Sequence, residues 1–264
     1  MTVRLFPRHL YKFRAIPTDP DGRHKLEALL LDNTLWIADP ESFNDPFDGK
    51  CGYELTLRGA ALRAAIEQMM LRQGMTNADI RRNQRIIDDA VNNPRDLEMK
   101  LAQNMDTIRK QLGVCSLSAT PRNPLLWTHY ARDHKGICVQ FRLAADIDAL
   151  PAIRVIYQDE YPVLRDLDRD DILHRAMLPF LRKSTDWEYE KEWRIVTPDG
   201  SSTLRTFTPG ALSGVVFGMR MSDDDRAYIR SLMDQREARY GHRPTLYEAK
   251  PAVRAYSVFI RKAP

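Results

Sequence analysis

The chain has 264 residues, of which 43% are hydrophobic and 29% charged, and its formal net charge at pH 7 is +4. This composition is ordinary for a soluble globular protein, and the length is enough for one large or two small domains. No apolar run approaches the roughly 20 residues that span a bilayer, which excludes a membrane-spanning helix.

Targeting and cysteine signals favour a cytoplasmic protein without a membrane partner. The start, "MTVRLFPRHLYKFR", has basic residues but no apolar core of a signal peptide. Cys51, Cys115 and Cys138 lack C-x-x-C spacing, so they indicate neither a disulfide framework nor a zinc knuckle. The basic residues of this start form either a solvated terminus or a small patch that contacts phosphate.

The first third of the chain predicts two strands, one helix and a polar loop. "HLYKFRAI" and "TLWIA" are typical of strands, and "HKLEALLLDN" is typical of a short helix. The loop "DPESFNDPFDGK" follows, and it concentrates polar residues between two aromatic ones: Phe43, Asn44, Asp45, Phe47 and Asp48. Pro46 and Gly49 favour a rigid turn in which Asn and Asp bond their own backbone, but the same loop can wall a pocket.

Residues 58–112 are predicted to be helical. Leu62, Ile66, Met69 and Met70 recur at helical spacing, and two or three further helices follow. We predict one α+β domain spanning residues 1–264, in which residues 58–112 form a peripheral helical insertion whose Met-rich faces pack mostly on each other.

The rest of the chain returns to strands. "GVCSLSAT", "ICVQFRL", "IRVIYQ", "GALSGVVFG", "TLYEAK" and "AYSVFI" predict strands, whereas "NPLLWTHYARDHKG" and residues 164–183 predict helices. A further helix begins at Ser222, which with Asp225 makes an S-x-x-D capping box. Clustered strands with inserted helices indicate an α+β fold.

The segment "DWEYEKEWRIV" reads as a strand with charges on one face. In that case Glu190 and Glu192 project from the same side about 7 Å apart, followed by Arg194. Two close carboxylates resist simultaneous ionisation unless a cation lies nearby. Either this face is a ladder of surface charges, or the two carboxylates line a cleft and one of them faces a developing oxocarbenium ion.

Other chemistry has little support in the sequence. His129 and His134 are five residues apart and no cluster of acids or thiols flanks them, so no metal site is expected. The chain contains no G-x-S-x-G, no G-x-G-x-x-G and no P-loop, which leaves serine hydrolases and the ordinary nucleotide-binding folds without a motif.

Four segments together resemble the bacterial domain-of-unknown-function family 2971. They are "LYKFR", "LWIADPESFNDPFDG", "CSLSATPRNPLLWTHYARDHKGICVQF" and "KSTDWEYEKEWRIV". The likeness extends over roughly residues 10–218, and the family name carries no activity.

The order of motifs is also similar, more weakly, to the ADP-ribosyltransferase fold. Those enzymes have a first strand with Arg or His, a strand with Ser-Thr-Ser, a helix with a small residue and an aromatic, and a final Glu-x-Glu. The matching positions here are Arg14, Ser116, Ser118, Tyr130, Ala131, Glu190 and Glu192. The pattern departs from the family at Leu117, which replaces the middle Thr.

This second resemblance implies a split antiparallel or mixed β core and NAD as the substrate. Glu192 would be catalytic by stabilising the ribosyl cation, and Glu190 by orienting or deprotonating the acceptor. Ser118 would position the nicotinamide ribose and support the neighbouring Glu. The residues implied in NAD binding are Arg14, Ser116, Ser118, Tyr130, His129, Phe43 and Asn44.

Several functional alternatives stay open. The resemblance implies ADP-ribosyl transfer to an unknown protein or nucleic acid, or NAD glycohydrolysis, and suggests a toxin or phage-defence effector. A metal-dependent nuclease would instead use Asp45, Asp48, His129 and Glu192. A non-catalytic module would bind a nucleotide, a nucleic acid or a protein, with residues 58–112 as its partner surface.

Two expectations test the leading interpretation. The strands "LYKFR", "CSLSAT" and "EKEWRIV" should converge on one cleft. Glu192→Gln should abolish NAD-consuming activity while the protein stays folded, and a surface pair between Glu192 and Arg194 would cost at most about 1 kcal/mol to remove.

Overall fold

The computed structural model describes residues 6–165, 172–198 and 200–264. Its strands are β1 (His9–Arg14), β2 (Thr34–Ile37), β3 (Gly52–Glu54), β4 (Gly113–Ser118), β5 (Ile137–Arg142), β6 (Ile153–Arg154), β7 (Ile156–Tyr157), β8 (Val163–Arg165), β9 (Arg182–Lys183), β10 (Glu192–Thr197), β11 (Thr203–Thr206), β12 (Leu212–Phe217), β13 (Thr245–Pro251) and β14 (Val258–Lys262). Its α-helices are α1 (Pro20–Leu30), α2 (Gly59–Arg72), α3 (Asn77–Arg82), α4 (Gln84–Asn92), α5 (Pro94–Gln111), α6 (Pro124–Tyr130), α7 (Ile172–Met177) and α8 (Asp223–Tyr240). Among these helices of the described residues, none is both long and apolar enough to cross a bilayer.

Polar caps fix the starts of the helices that flank the sheet. Asp19 accepts a hydrogen bond from the backbone N–H of Gly22 at the start of α1, and Asn123 accepts one from Leu125 at the start of α6. Ser222 accepts one from Asp225 at the start of α8, as its sequence pattern predicted. Each cap satisfies a backbone donor that the first helical turn leaves unpaired.

A mixed eight-stranded sheet organises the molecule, and the chain is therefore α+β. Its strand order is β14-β13-β12-β5-β1-β4-β10-β6, with β12 and β13 parallel and the other neighbours antiparallel. Helices α1 and α8 bury Leu29, Leu30, Ile229 and Met233 against one face. Helix α6 packs Trp127 against the other face, within a separate cluster.

The sheet divides between β1 and β4. Strand β1 pairs with β5 along its whole length, but its pairing with β4 is confined to Tyr11 and Ser118 among the described residues. Beyond that point the Nζ of Lys12 donates to the backbone carbonyl of Ser116 at 2.9 Å. In a continuous sheet, the carbonyl of Ser116 would accept a hydrogen bond from the backbone of β1. Here the side chain of Lys12 satisfies it, so the two halves of the sheet can separate without leaving this carbonyl unpaired.

The helices of residues 58–112 fall into two groups. Helices α2, α3 and α4 share a hydrophobic cluster that includes Leu62, Ile66 and Ile87. Helix α5 contributes Leu97 to the edge of this cluster and packs Met105 against the cluster that lies on β4 and β10, beside Val114. The expectation that these helices pack mostly on each other is therefore wrong for α5, whose apolar residues reach the sheet.

The segment "DWEYEKEWRIV" is not one strand. Thr185–Glu190 forms a 3₁₀ helix that begins at Ser184, whose hydroxyl accepts from the N–H of Asp186. Lys191 adopts a left-handed conformation with φ 47° and ψ 51°, and only then does β10 start. Glu190 and Glu192 are therefore not neighbours on one strand face, and the predicted spacing of about 7 Å does not apply.

Three other boundaries also differ from prediction. Helix α6 ends at Tyr130 because Arg132, Asp133 and His134 all have positive φ. "IRVIYQ" divides into β6, which pairs with β10, and β7, which pairs with β9. The predicted helix over residues 164–183 begins in β8, contains α7 and ends in β9, and its residues 166–171 lie outside the described part.

Candidate active site

A cleft of about 480 Å³ opens where β1 and β4 separate. The sequence-predicted catalytic and NAD-binding residues all line it, namely Arg14, Phe43, Asn44, Ser116, Ser118, His129, Tyr130, Glu190 and Glu192. The three strands expected to converge do so, since Ser118 is the Cα partner of Tyr11 on one side and of Glu192 on the other. The roles of these residues remain predictions.

An ion network forms the floor of the cleft. Arg194 Nε donates to Glu192 Oε1 at 2.7 Å, and Arg194 Nη2 donates to Glu192 Oε2 at 2.9 Å. Arg194 also binds Asp48 with both terminal nitrogens, at 2.7 and 2.6 Å. Lys183 Nζ donates to Glu190 Oε2 at 2.6 Å and to Glu192 Oε2 at 3.1 Å. These groups fix one another, so the carboxylates have defined orientations.

The network is buried. Arg194 is 1% exposed, and Glu190 and Glu192 are each 4% exposed. The interpretation of this face as a ladder of surface charges is therefore wrong. The reason is that every residue of β10 is covered, with Asp48 and the loop around Phe43 lying over its charged face.

The floor carries a net negative charge. It holds three carboxylates, those of Asp48, Glu190 and Glu192, against the two cations of Lys183 and Arg194, which leaves one excess negative charge. A carboxylate without a counter-cation attracts a cationic group on a ligand more strongly when it is buried than when it is exposed to solvent.

Burial and the two cations set the protonation of the floor. Burial raises the pKa of Glu192, but Arg194 and Lys183 outweigh it and lower that pKa to about 2. Burial also raises the pKa of Glu190, and the opposing attraction of Lys183 does not cancel the rise. Glu192 is therefore ionised at neutral pH, whereas Glu190 is the carboxylate that more readily takes up a proton.

Tyr130 links the floor to the polar loop. Its hydroxyl donates to Glu190 Oε1 at 2.7 Å and also hydrogen-bonds with Asn44. Burial and the charge of Glu190 raise the pKa of Tyr130, so the phenol stays protonated as a donor. His129 lies edge-on against the Tyr130 ring, with their centroids 6.2 Å apart.

The two serines of β4 support different glutamates. The hydroxyl of Ser118 donates to the backbone carbonyl of Glu190 at 2.6 Å. The side chain of Ser116 hydrogen-bonds to the carboxylate of Glu192. The expected support of Glu192 by a serine thus comes from Ser116, because Ser118 is engaged with the end of the 3₁₀ helix.

The opposite wall of the cleft, β1, is cationic. Arg14 is half-buried, and burial lowers the pKa of its guanidinium. Within the described ranges, no carboxylate forms an ion pair with Arg14 or with Lys12, which also lines the cleft. A desolvated cation without a counter-charge is a binding group for an anion.

The polar loop is both a turn and a wall. Asp45 Oδ1 accepts from the N–H of Phe47 at 2.9 Å, which is the predicted bond to its own backbone. Phe43 places its ring 5.5 Å from the guanidinium carbon of Arg194, and Asp48 binds the same guanidinium. The two interpretations of this loop are therefore compatible.

Sequence reasoning missed Lys183. The sequence predicted a cation beside the two carboxylates, and Arg194 was the residue assigned to that role. Lys183 also fills that role, from a segment that had been predicted as helical.

Three of the four residues of the nuclease alternative already have partners within the protein. Asp48 and Glu192 share Arg194, and Asp45 holds its turn. In the part of the chain that the structure describes, no three His, Cys, Asp or Glu side chains are grouped as metal ligands. A divalent cation would have to displace Arg194 or Lys183 from these carboxylates.

Comparison with known proteins matches part of the chain to a family of unknown function. A family model described as "Protein of unknown function (DUF2971)" matches residues 126–195. The matched segment is similar to that family and contains Tyr130, Lys183, Glu190, Glu192 and Arg194, whereas β1 and β4 lie outside it. No match was found among curated proteins or among solved structures.

Proposed function

We propose that the protein binds NAD in the cleft between β1 and β4 and breaks the bond between nicotinamide and ribose. One observation carries the proposal, which is that the cleft is bipolar. Its floor has an excess negative charge, and its β1 wall presents the cations of Arg14 and Lys12, neither of which has a carboxylate partner in the described part of the chain. NAD has the complementary distribution, with a cationic nicotinamide ring and an anionic pyrophosphate.

The β1 wall suits the pyrophosphate. The planar guanidinium of Arg14 can donate two parallel hydrogen bonds to phosphate oxygens. Lys12 adds a second positive charge beside it. The nicotinamide end is then directed to the floor, where Phe43 and Tyr130 supply aromatic surface.

The floor suits the departure of nicotinamide. When the bond from ribose C1′ to the ring nitrogen breaks, both electrons leave with neutral nicotinamide and positive charge develops on the ribose. Glu192 is ionised and held in place by Ser116, Lys183 and Arg194, so it stabilises that charge without reorienting. An acceptor, either water or a nucleophile on a macromolecule, then bonds to C1′ and gives its proton to Glu190.

The split sheet and the order of motifs support the same proposal. The separation of β1 from β4, the Ser-x-Ser of β4 and the Glu-x-Glu that leads into β10 are the features that resemble the ADP-ribosyltransferase fold. Two features are distinct from that pattern, since Leu117 replaces the middle Thr of the Ser motif and Arg194 binds the second Glu of the Glu-x-Glu.

Release of nicotinamide from NAD tests the proposal. We expect the wild type to release it, and Arg14→Gln to lower turnover at limiting NAD by about tenfold or more, since a hydrogen bond to a charged group contributes about 1.5–3 kcal/mol. Arg142→Gln is the matched control, because Arg142 is exposed on β5 and does not line the cleft. Binding of NAD without nicotinamide release would indicate a non-catalytic module, and the absence of binding would refute the proposal.

A further inference from the structure

A second cavity, of about 500 Å³, adjoins the cleft. The two share Asn44, Asp48 and Lys183 as lining residues. The other walls of the second cavity come from the loop after Asn44, from residues 158–162 and from the start of the 3₁₀ helix at residues 184–187. A molecule bound there lies next to the ion network without occupying the cleft.

The charges of this cavity are mainly negative. Asp48 and Lys183 form ion pairs within the network, which itself carries one excess negative charge. Four carboxylates then remain, on Asp45, Asp159, Glu160 and Asp186, against the two cations Lys50 and Arg182, which leaves a balance of −2. The cavity therefore repels phosphate and attracts a cation.

Exposed aromatic rings border the same carboxylates. Phe47 is 66% exposed and Tyr161 is 49% exposed, and their ring centroids are 6.5 Å apart. Trp187 also lines the cavity, but Lys183 already lies over its ring at 4.8 Å. Two exposed rings beside carboxylates are the environment in which a guanidinium or an ammonium is bound by cation–π and ionic contacts together.

We infer that this cavity binds a basic side chain, Arg or Lys, of a polypeptide partner. Charge complementarity selects the partner, because a nucleic acid would bring phosphates towards a cavity with excess carboxylates. Phe47 and Tyr161 hold the aliphatic and cationic parts of the side chain, and Glu160 provides an exposed counter-charge. Only one aspect rests on the proposed function, namely that the polypeptide so held is the molecule that receives the ribosyl group.

Calorimetric titration with a short arginine-containing peptide, without NAD, tests this inference. The matched probe is the same peptide with citrulline, which keeps the shape and removes the charge. We expect the arginine peptide to bind at least tenfold more tightly, and Phe47→Ala and Glu160→Gln each to weaken it about threefold, in line with exposed cation–π and ionic contacts. Phe259→Ala and Glu188→Gln are controls, since both residues are exposed and outside the cavity.

The outcomes separate this inference from the proposed function. Equal binding of the two peptides, unchanged binding in Phe47→Ala and Glu160→Gln, or displacement of the peptide by a single-stranded oligonucleotide would each overturn the inference. Selective peptide binding by a protein that does not bind NAD would support the inference and refute the proposed function. NAD cleavage without selective peptide binding would support the proposed function and refute the inference.

Discussion

Arg194 binds both carboxylate oxygens of Glu192, at 2.7 and 2.9 Å, from two positions further along the same strand. Side chains two apart on a strand share a face, so this contact follows directly from the backbone of β10. This pair is not a surface contact, because the loop that supplies Asp48 covers it. The pair is thus part of the interior and of the cleft floor at once.

Glu192→Gln is predicted to destabilise the fold. The change replaces one carboxylate oxygen by an NH2 donor, so a buried contact with Arg194 or Lys183 loses its acceptor, and breaking a buried ion pair typically costs about 3–5 kcal/mol. Denaturation by urea measures this cost. The cost of at most about 1 kcal/mol assumed an exposed pair, whereas Glu192 and Arg194 are buried.

Glu188→Gln is the control for that measurement. Glu188 is exposed on the adjacent 3₁₀ helix, and its substitution should change stability by no more than about 0.5 kcal/mol. Equal urea midpoints for Glu192→Gln and the wild type would contradict the buried network.

The stability difference between wild type and Glu192→Gln should depend on pH. The folded pKa of Glu192 is about 2, below its ordinary 4.5, so its contribution is complete above about pH 4.5 and is lost as pH falls towards 2. Thermal melts of the two proteins between pH 7 and pH 2.5 should therefore converge at the acid end. A constant difference across this range would show that Glu192 is not held ionised in the folded state.

Arg14→Gln should leave the fold at least as stable as the wild type. Its guanidinium is half-buried without a carboxylate partner among the described residues, and burying an unpaired cation costs free energy. Melting curves of Arg14→Gln and Arg142→Gln would measure the effect. A marked loss of stability in Arg14→Gln alone would mean that Arg14 serves the fold rather than a ligand.

Met105→Ala is predicted to cost about 2–4 kcal/mol. Met105 is buried against the cluster on β4 and β10, and large-to-small changes at such sites leave a cavity. Met99→Ala on the same helix is the control, because Met99 is 55% exposed and its loss should cost about 0.5 kcal/mol or less. Equal urea midpoints for the two variants would show that α5 is peripheral.

Much of the site was predictable because strand pairing brings distant motifs together. Ser118 and Glu192 are direct Cα partners, so a polar motif on each of two neighbouring strands was enough to predict one cleft. The conformation between Glu190 and Glu192 was not predictable in this way. Alternating charges and aromatics before β10 have the period of a strand, but the Ser184 cap and the left-handed Lys191 make that segment a 3₁₀ helix and a turn.

The role of Lys183 in the ion network could not be predicted from the sequence either. Its contacts with Glu190 and Glu192 depend on β9, a strand of two residues that pairs with β7. So short a strand has no periodicity of its own, and its position is set by tertiary pairing. The burial of Arg194 likewise depends on a loop from the first third of the chain.

Titration of NAD and NADH into the wild-type protein tests the central claim most directly. The two ligands share the pyrophosphate that Arg14 is proposed to bind, but only NAD has a cationic nicotinamide ring to face the excess negative charge of the floor. The bipolar cleft predicts that NAD binds at least about tenfold more tightly than NADH, the equivalent of 1.4 kcal/mol. Equal affinities for NAD and NADH, or no binding of either, would contradict it.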